Sequence, residues 1–332
     1  MLEIKQIQEV LMPHFTTISI LTPLFVSLIV LQTGCAEWRD CTDVDTSAVD
    51  SLPMLLSETG LYSDTASKTI SDAAFEFEPQ FPLWTDGAKK QRWLILPEGS
   101  QINTENEESW IAPVGTQFFK NFTRDGVLIE TRMNQKTDDG WIAATYLWNE
   151  AGEDAEKQLE AISDASGTAH DIPSAAECSA CHGGRADFTL GFSATQLDLE
   201  TRTALYTMGA LTHASDADLS GLTETQKTGL GVLHGNCSHC HNSTRNDNPQ
   251  STRCYNPGPQ EDFDLSLPAA LRTIEDAPVL NTARHDFLQG EMIERMSHRN
   301  RLNQTLFMPP LGTEEVDEDG VAAVQALIDE LN

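Results

Sequence analysis

The residues that could do chemistry stand in two pentapeptides, Cys178-Ser179-Ala180-Cys181-His182 and Cys237-Ser238-His239-Cys240-His241. Two thiols at this spacing can add to the two vinyl groups of one haem, and the histidine that follows then lies under the iron as its proximal ligand. The pattern predicts two covalently bound haem c groups, attached through Cys178, Cys181, Cys237 and Cys240 and ligated by His182 and His241. Two other chemistries use paired cysteines. A zinc site built from both pairs would leave the histidines without a role, and a thiol–disulfide pair needs no histidine behind it twice over.

A c-type haem usually takes a sixth ligand from further along the chain. For the second haem the candidate is Met308 in Leu306-Phe307-Met308-Pro309-Pro310-Leu311-Gly312, where a proline-rich loop can present a thioether free of helical constraint. Met292 and Met296 fall in a helical stretch and read as core. For the first haem the candidates are Met208, His213 and His170, or the position is open and could take peroxide or another small ligand. His234, on the helix that delivers the second motif, reads as structural. Cys41 and Cys254 lie in loop-like sequence and are candidates for a disulfide.

The elements that must position these groups change character along the chain. Between Phe75 and Trp148 the segments 91–96, 117–122, 127–133 and 141–148 are short and rich in aromatic and β-branched residues. Asp125-Gly126 and Asp139-Gly140 are hairpin-closing dipeptides. Regular spacing of such strands predicts a small sandwich or barrel, in which Leu83-Trp84-Thr85-Asp86-Gly87 and Val114-Gly115-Thr116 are either a binding edge or core. Residues 151–170 are acidic and alanine-rich, which suggests a helix and then a linker. Beyond 171 apolar residues recur at helical spacing over 197–211, 224–240 and 321–331. The fold expected is multidomain: a segment 1–34, a mainly-β, sandwich-like domain over 35–165, and two fused, mainly-α cytochrome c units over 166–230 and 231–332.

Of 332 residues, 51 are Asp or Glu and 21 Lys or Arg, a formal charge of −30. Such a chain has no basic excess to neutralise phosphates, which argues against nucleic acid. The charge either keeps the surface soluble or steers a basic redox partner. Phe15 to Leu31 is an uncharged, largely apolar run, followed by Gln32-Thr33-Gly34-Cys35, and it reads as an export signal. Gly34-Cys35 is like a lipoprotein cleavage site with Cys35 as the lipidated mature N-terminus, although Leu31 stands one place too early and Lys5 is the only Lys or Arg before it. The alternatives are an uncleaved membrane anchor and a soluble periplasmic protein.

From Ile172 to Leu331 the chain resembles a family of bacterial dihaem c-type cytochrome lipoproteins with tandem cytochrome c units. The resemblance rests on Ile172-Pro173-Ser174 leading into the first haem motif, Leu190-Gly191-Phe192-Ser193, Gln196-Leu197, Leu233-His234-Gly235-Asn236 before the second motif, and Met308-Pro309-Pro310-Leu311-Gly312. Upstream it continues through Phe81-Pro82-Leu83-Trp84-Thr85-Asp86-Gly87, Pro113-Val114-Gly115-Thr116 and Glu130-Thr131-Arg132. It implies an exported haem protein and no particular substrate. The expected role is one-electron transfer in the periplasm, with the His/Met second haem the more oxidising. The alternative is a dihaem enzyme, peroxidase-like or substrate-oxidising, with an open first haem.

Overall fold

Strands between Phe75 and Gln158 form the largest sheet among the described residues. The computed structural model describes residues 37–38, 47–107, 109–242, 255–256, 292–299, 307–309 and 312–331. Its strands are β1 (Glu37–Trp38), β2 (Tyr62–Asp64), β3 (Thr69–Ile70), β4 (Phe75–Glu76), β5 (Lys89–Ile95), β6 (Gln117–Arg124), β7 (Val127–Thr137), β8 (Gly140–Trp148), β9 (Ala155–Gln158) and β10 (Tyr255–Asn256). Helices are α1 (Ala175–His182), α2 (Leu199–Thr207), α3 (Glu224–Asn236), α4 (Ile293–Met296) and α5 (Glu318–Leu331). β4 to β9 pair in sequence order as a six-stranded antiparallel meander, while β2–β3 and β1–β10 are separate two-stranded pairs.

Alternation along the strands sorts side chains between the two faces. On one face Trp93, Phe119, Met133 and Ala144 are cross-strand neighbours in successive strands. They bury against Leu56, Leu61 and Tyr62 from the preceding segment. The opposite face carries Arg92, Lys120, Arg132 and Thr145 in one continuous rung. At the β6–β7 hairpin Asp125 and Gly126 both take positive φ, 52° and 83°, as a tight hairpin turn requires.

The architecture corrects the expectation of a sandwich followed by two fused, mainly-α cytochrome c units. The protein is β-rich, with a single six-stranded sheet and, among the described residues, five short helices of 8, 9, 13, 4 and 14 residues. Its two halves share their cores. Phe77, Leu94, Ile102 and Trp110 pack with Phe192, Leu197, Leu205 and Leu211. Phe81 packs with Leu230 and Leu233 of α3, Met292 and Met296 at the two ends of the α4 turn, and Val324, Leu327 and Ile328 of α5. Helices this short each bury one narrow stripe and need a larger surface to close upon. The second face of the sheet and the loop after β4 supply it.

Residues 151–170 are also corrected. They hold edge strand β9 and a 3-10 turn instead of a helix. Ala155 enters the first core, and Lys157 Nζ donates to the carbonyls of Val49 and Leu52 at 2.8 and 2.7 Å. The chain divides into two compact units, Met1–Gly34 and Cys35–Asn332. All of the described residues belong to the second. Among them no helix is long and apolar enough to cross a membrane.

Candidate functional site

The first motif rides on α1. Ser174 Oγ accepts from the Glu177 N–H at 3.3 Å while Glu177 Oε2 accepts from the Ser174 N–H at 2.8 Å, a reciprocal cap that starts the helix. Cys178, Cys181 and His182 then fall three and four positions apart, on one helical face. His182 Nδ1 lies 2.8 Å from the carbonyl oxygen of Phe188. A carbonyl can only accept, so Nδ1 carries the proton and Nε2 keeps its lone pair. Asn134 Nδ2 is 3.1 Å from the same Nδ1. Because this N–H is a donor, the Asn134 amide must turn its oxygen towards it, a rotation that exchanges near-identical ends. Burial, then the charge of Lys120, brings the His182 imidazole down to about 3, so the ring is neutral.

The carbonyl that sets this tautomer is aimed by unusual backbone. Asp187 and Phe188 have φ of 52° and 59° in succession, a conformation that costs non-glycine residues and persists only when surroundings hold it. Here Asp187 accepts from the Ala112 N–H at 2.6 Å and from Trp141 Nε1 at 3.1 Å, and it pairs with Lys136. The Phe188 ring lies against His182, with centroids 5.1 Å apart.

Around α1 the sheet face is charged. Glu130 is fully buried and takes Arg132 Nη2 at 2.5 Å, Arg132 Nε at 3.0 Å and His170 Nε2 at 2.7 Å. Burial alone would push the Glu130 carboxyl up, but Arg132 and His170 outweigh it and hold it below the usual carboxylate range. Burial followed by the charges of Arg92 and Arg132 brings Lys120 down to about 7. Burial raises Cys178 to about 11 and Cys237 to about 12, the reverse of the depressed thiol that a thiol–disulfide enzyme needs. Both are free thiols. Among the described residues no group of three His, Cys, Asp or Glu is placed to hold a metal ion.

The second motif continues from the end of α3. Cys237 caps that helix, and the N–H groups of Cys240 and His241 both donate to the Cys237 carbonyl, at 3.0 and 2.8 Å. Asn242 Nδ2 donates to the Gly184 carbonyl at 2.9 Å and to the Ser238 carbonyl at 2.7 Å. The first of these bonds joins the residue after His241 to the second residue after His182. Chain geometry then keeps the two histidine Cα atoms within about 20 Å of each other.

Residues 81–87 clasp α3 and the segment before α5. The Trp84 N–H donates to Asn236 Oδ1 at 2.6 Å, and Trp84 Nε1 donates to the Glu315 carbonyl at 3.1 Å. Asp86 accepts from the N–H groups of Glu314 and Glu315 at 2.9 Å each. Phe81 lies so close to α3 that a Cβ on Gly231 would overlap its ring and one on Gly235 would come 2.5 Å from its carbonyl oxygen. Met308 is partly buried. Its N–H donates to the Arg295 carbonyl of α4 at 3.0 Å, and Met292 and Met296 are core as expected.

The remaining candidates fall elsewhere. Met208 caps α2 and is 62% exposed. His213 is exposed and bonded to Thr212 Oγ1 at 2.9 Å. His170 is buried on Glu130. His234 is buried edge-on to Phe81, and burial, then Arg185 and His239, lowers it to about 3. Cys35, Cys41 and Cys254 lie outside the described residues. Asn134, Asp187, Phe188 and Asn242 were not read from sequence, and no local pattern marks them. No known family, curated protein or solved structure matches the chain.

Proposed function

We propose that this chain is an exported dihaem c-type cytochrome, of the kind its motifs resemble, that passes electrons one at a time in the periplasm. Cys178 and Cys181 attach the first haem and Cys237 and Cys240 the second, with Nε2 of His182 and a ring nitrogen of His241 as proximal ligands and Met308 as sixth ligand of the second. The haems supply one-electron chemistry at iron. The protein fits them in three ways: it holds His182 neutral in a single tautomer, it keeps the thiols protonated until they are used, and it holds both motifs at least partly buried.

One observation carries the reading: Asn242 Nδ2 on the Gly184 carbonyl, which holds the two attachment motifs side by side. A carrier needs its two centres adjacent; two unrelated metal or disulfide sites would not. The charge of −30 suits a basic redox partner, and Cys35 provides the anchor to the membrane.

Pyridine haemochrome analysis of protein made with a cytochrome assembly system should give two haems per chain, and a colourless product overturns the reading. Met308→Ala should abolish the far-red band of a His/Met haem without lowering the haem count. Cys35→Ala should move the protein from the membrane to the soluble fraction.

A second reading has its own support. Met208 and His213 are exposed and His170 is held by Glu130, so none of the three is placed to close the first iron. An open first haem is what a peroxidase-like enzyme requires. Turnover of hydrogen peroxide with a reduced electron donor favours the enzyme, and reversible reduction without turnover favours the carrier.

A further inference from the structure

Exposed apolar side chains on a soluble surface are usually scattered singly. Here they gather. Of the eight large apolar residues exposed among the described residues, Leu199, Tyr206 and Met208 stand on or just after α2, and Ile111 and Val114 between β5 and β6. Leu199 and Tyr206, seven positions apart, share the outward side of α2, while Arg202 and Leu205 are buried on the other. A small ladder joins the two segments: Ile102 pairs with Leu211, and Asn103 with Ile111. Chain geometry then keeps the Met208 and Ile111 Cα atoms within about 25 Å of each other. One protein–protein interface of modest area spans that distance.

The charge around these side chains differs from that of the whole chain. Residues 93–119 and 186–226 hold ten Asp or Glu and one Lys or Arg, where the rest has about two acids per base. The one base, Arg202, is buried and turned inward on Ser215 Oγ and the Ala217 carbonyl, at 2.7 Å each. Glu105, Asp198, Glu200, Asp216 and Asp218 are exposed. Hydrogen bonds from Thr201 and Ser220 hold Asp198 and Asp218 below the usual carboxylate range, so both are ionised at neutral pH. An apolar centre with an acidic rim complements a partner that is apolar at its contact and basic around it.

The same segments lead to the first motif. Ile111 and Val114 flank Ala112, whose N–H donates to Asp187 at 2.6 Å. Asp187 precedes Phe188, and the Phe188 carbonyl takes the His182 N–H.

We propose that this face docks a small basic electron-carrier protein, with Ile111, Tyr206 and Met208 at the centre and Glu105, Asp198 and Glu200 on the rim. One electron crosses there between the partner's redox centre and the first haem, one being oxidised as the other is reduced. The electron step rests on the haem reading; the docking does not.

The test uses the full chain with a basic mitochondrial-type cytochrome c as probe. Binding is followed by the NMR shifts of the probe and electron transfer by stopped flow, with folding of each variant checked by circular dichroism. Glu105→Lys with Glu200→Lys should weaken binding and slow transfer at least tenfold at low salt. Glu150→Lys with Glu153→Lys, an equal charge change on the exposed turn between β8 and β9, should alter both less than twofold. Tyr206→Ser with Met208→Gln, which leaves the charge alone, should weaken binding about tenfold. If the two lysine pairs act alike, only net charge matters and the surface is overturned. A wild type that does not bind the probe, or an apolar pair that binds as the wild type does, overturns it equally. A colourless chain, or one that binds the probe but passes no electron, fails the haem step alone, and the binding comparison then judges the surface.

Discussion

At the scale of single residues, groups with no chemistry of their own prepare those that have it. The Phe188 carbonyl fixes which nitrogen of His182 keeps its lone pair, and Asn242 ties one motif to the other. His234 shows the cost of a buried imidazole. Its proton affinity is depressed to about 3 in the folded protein, against about 6.5 in an unfolded chain. Below 6.5 the unfolded chain therefore binds a proton that the native one refuses. The stability is fully present above that pH and is lost progressively on acidification towards 3. Between pH 6.5 and 5 the loss from this group is about 2 kcal/mol. Urea unfolding of His234→Phe should be less pH-dependent than wild type by that amount; equal slopes would rule out the assignment.

Elements meet through close contact more than through length. α3 can approach Phe81 because residues 231 and 235 lack a Cβ. Helical glycines are usually unfavourable, so their presence here reflects the contact. Gly231→Ala should destabilise the protein by about 1–3 kcal/mol through overpacking. Adding Phe81→Leu should recover part of that, and a double mutant no more stable than the single would show that the clash lies elsewhere. The same logic explains α1. It is only eight residues long and starts on a reciprocal Ser174–Glu177 cap, but its position is set by the sheet face it lies against.

For the whole molecule, the consequence of shared cores is that neither half is self-sufficient. Residues after 165 contribute Phe192, Leu197, Leu205 and Leu211 to a core whose other wall is Phe77, Leu94, Ile102 and Trp110. A fragment of residues 166–332 should therefore unfold without a cooperative transition and retain less haem than the full chain. A fragment with a sharp melting transition and two stable haems would contradict this. The sheet is thus the wall that carries Asn134 to His182.

The proposed attachment motifs can be picked out in the sequence because they are local: five consecutive residues contain two thiols and a histidine, and no distant partner is needed to see the pattern. The strands themselves were legible for a similar reason, since the short aromatic and β-branched runs 91–96, 117–122, 127–133 and 141–148 fall on β5 to β8. What could not be read was the covering of their second face. Arg92, Lys120 and Arg132 sit at positions where alternation points to solvent, and a strand sequence is the same whether water or protein covers that face. Only the tertiary structure decides that the helical half closes over it. Burial of those charges, the occupied state of His170, the exposure of Met208 and the nearness of the two motifs all depend on residues far apart in the chain meeting in space.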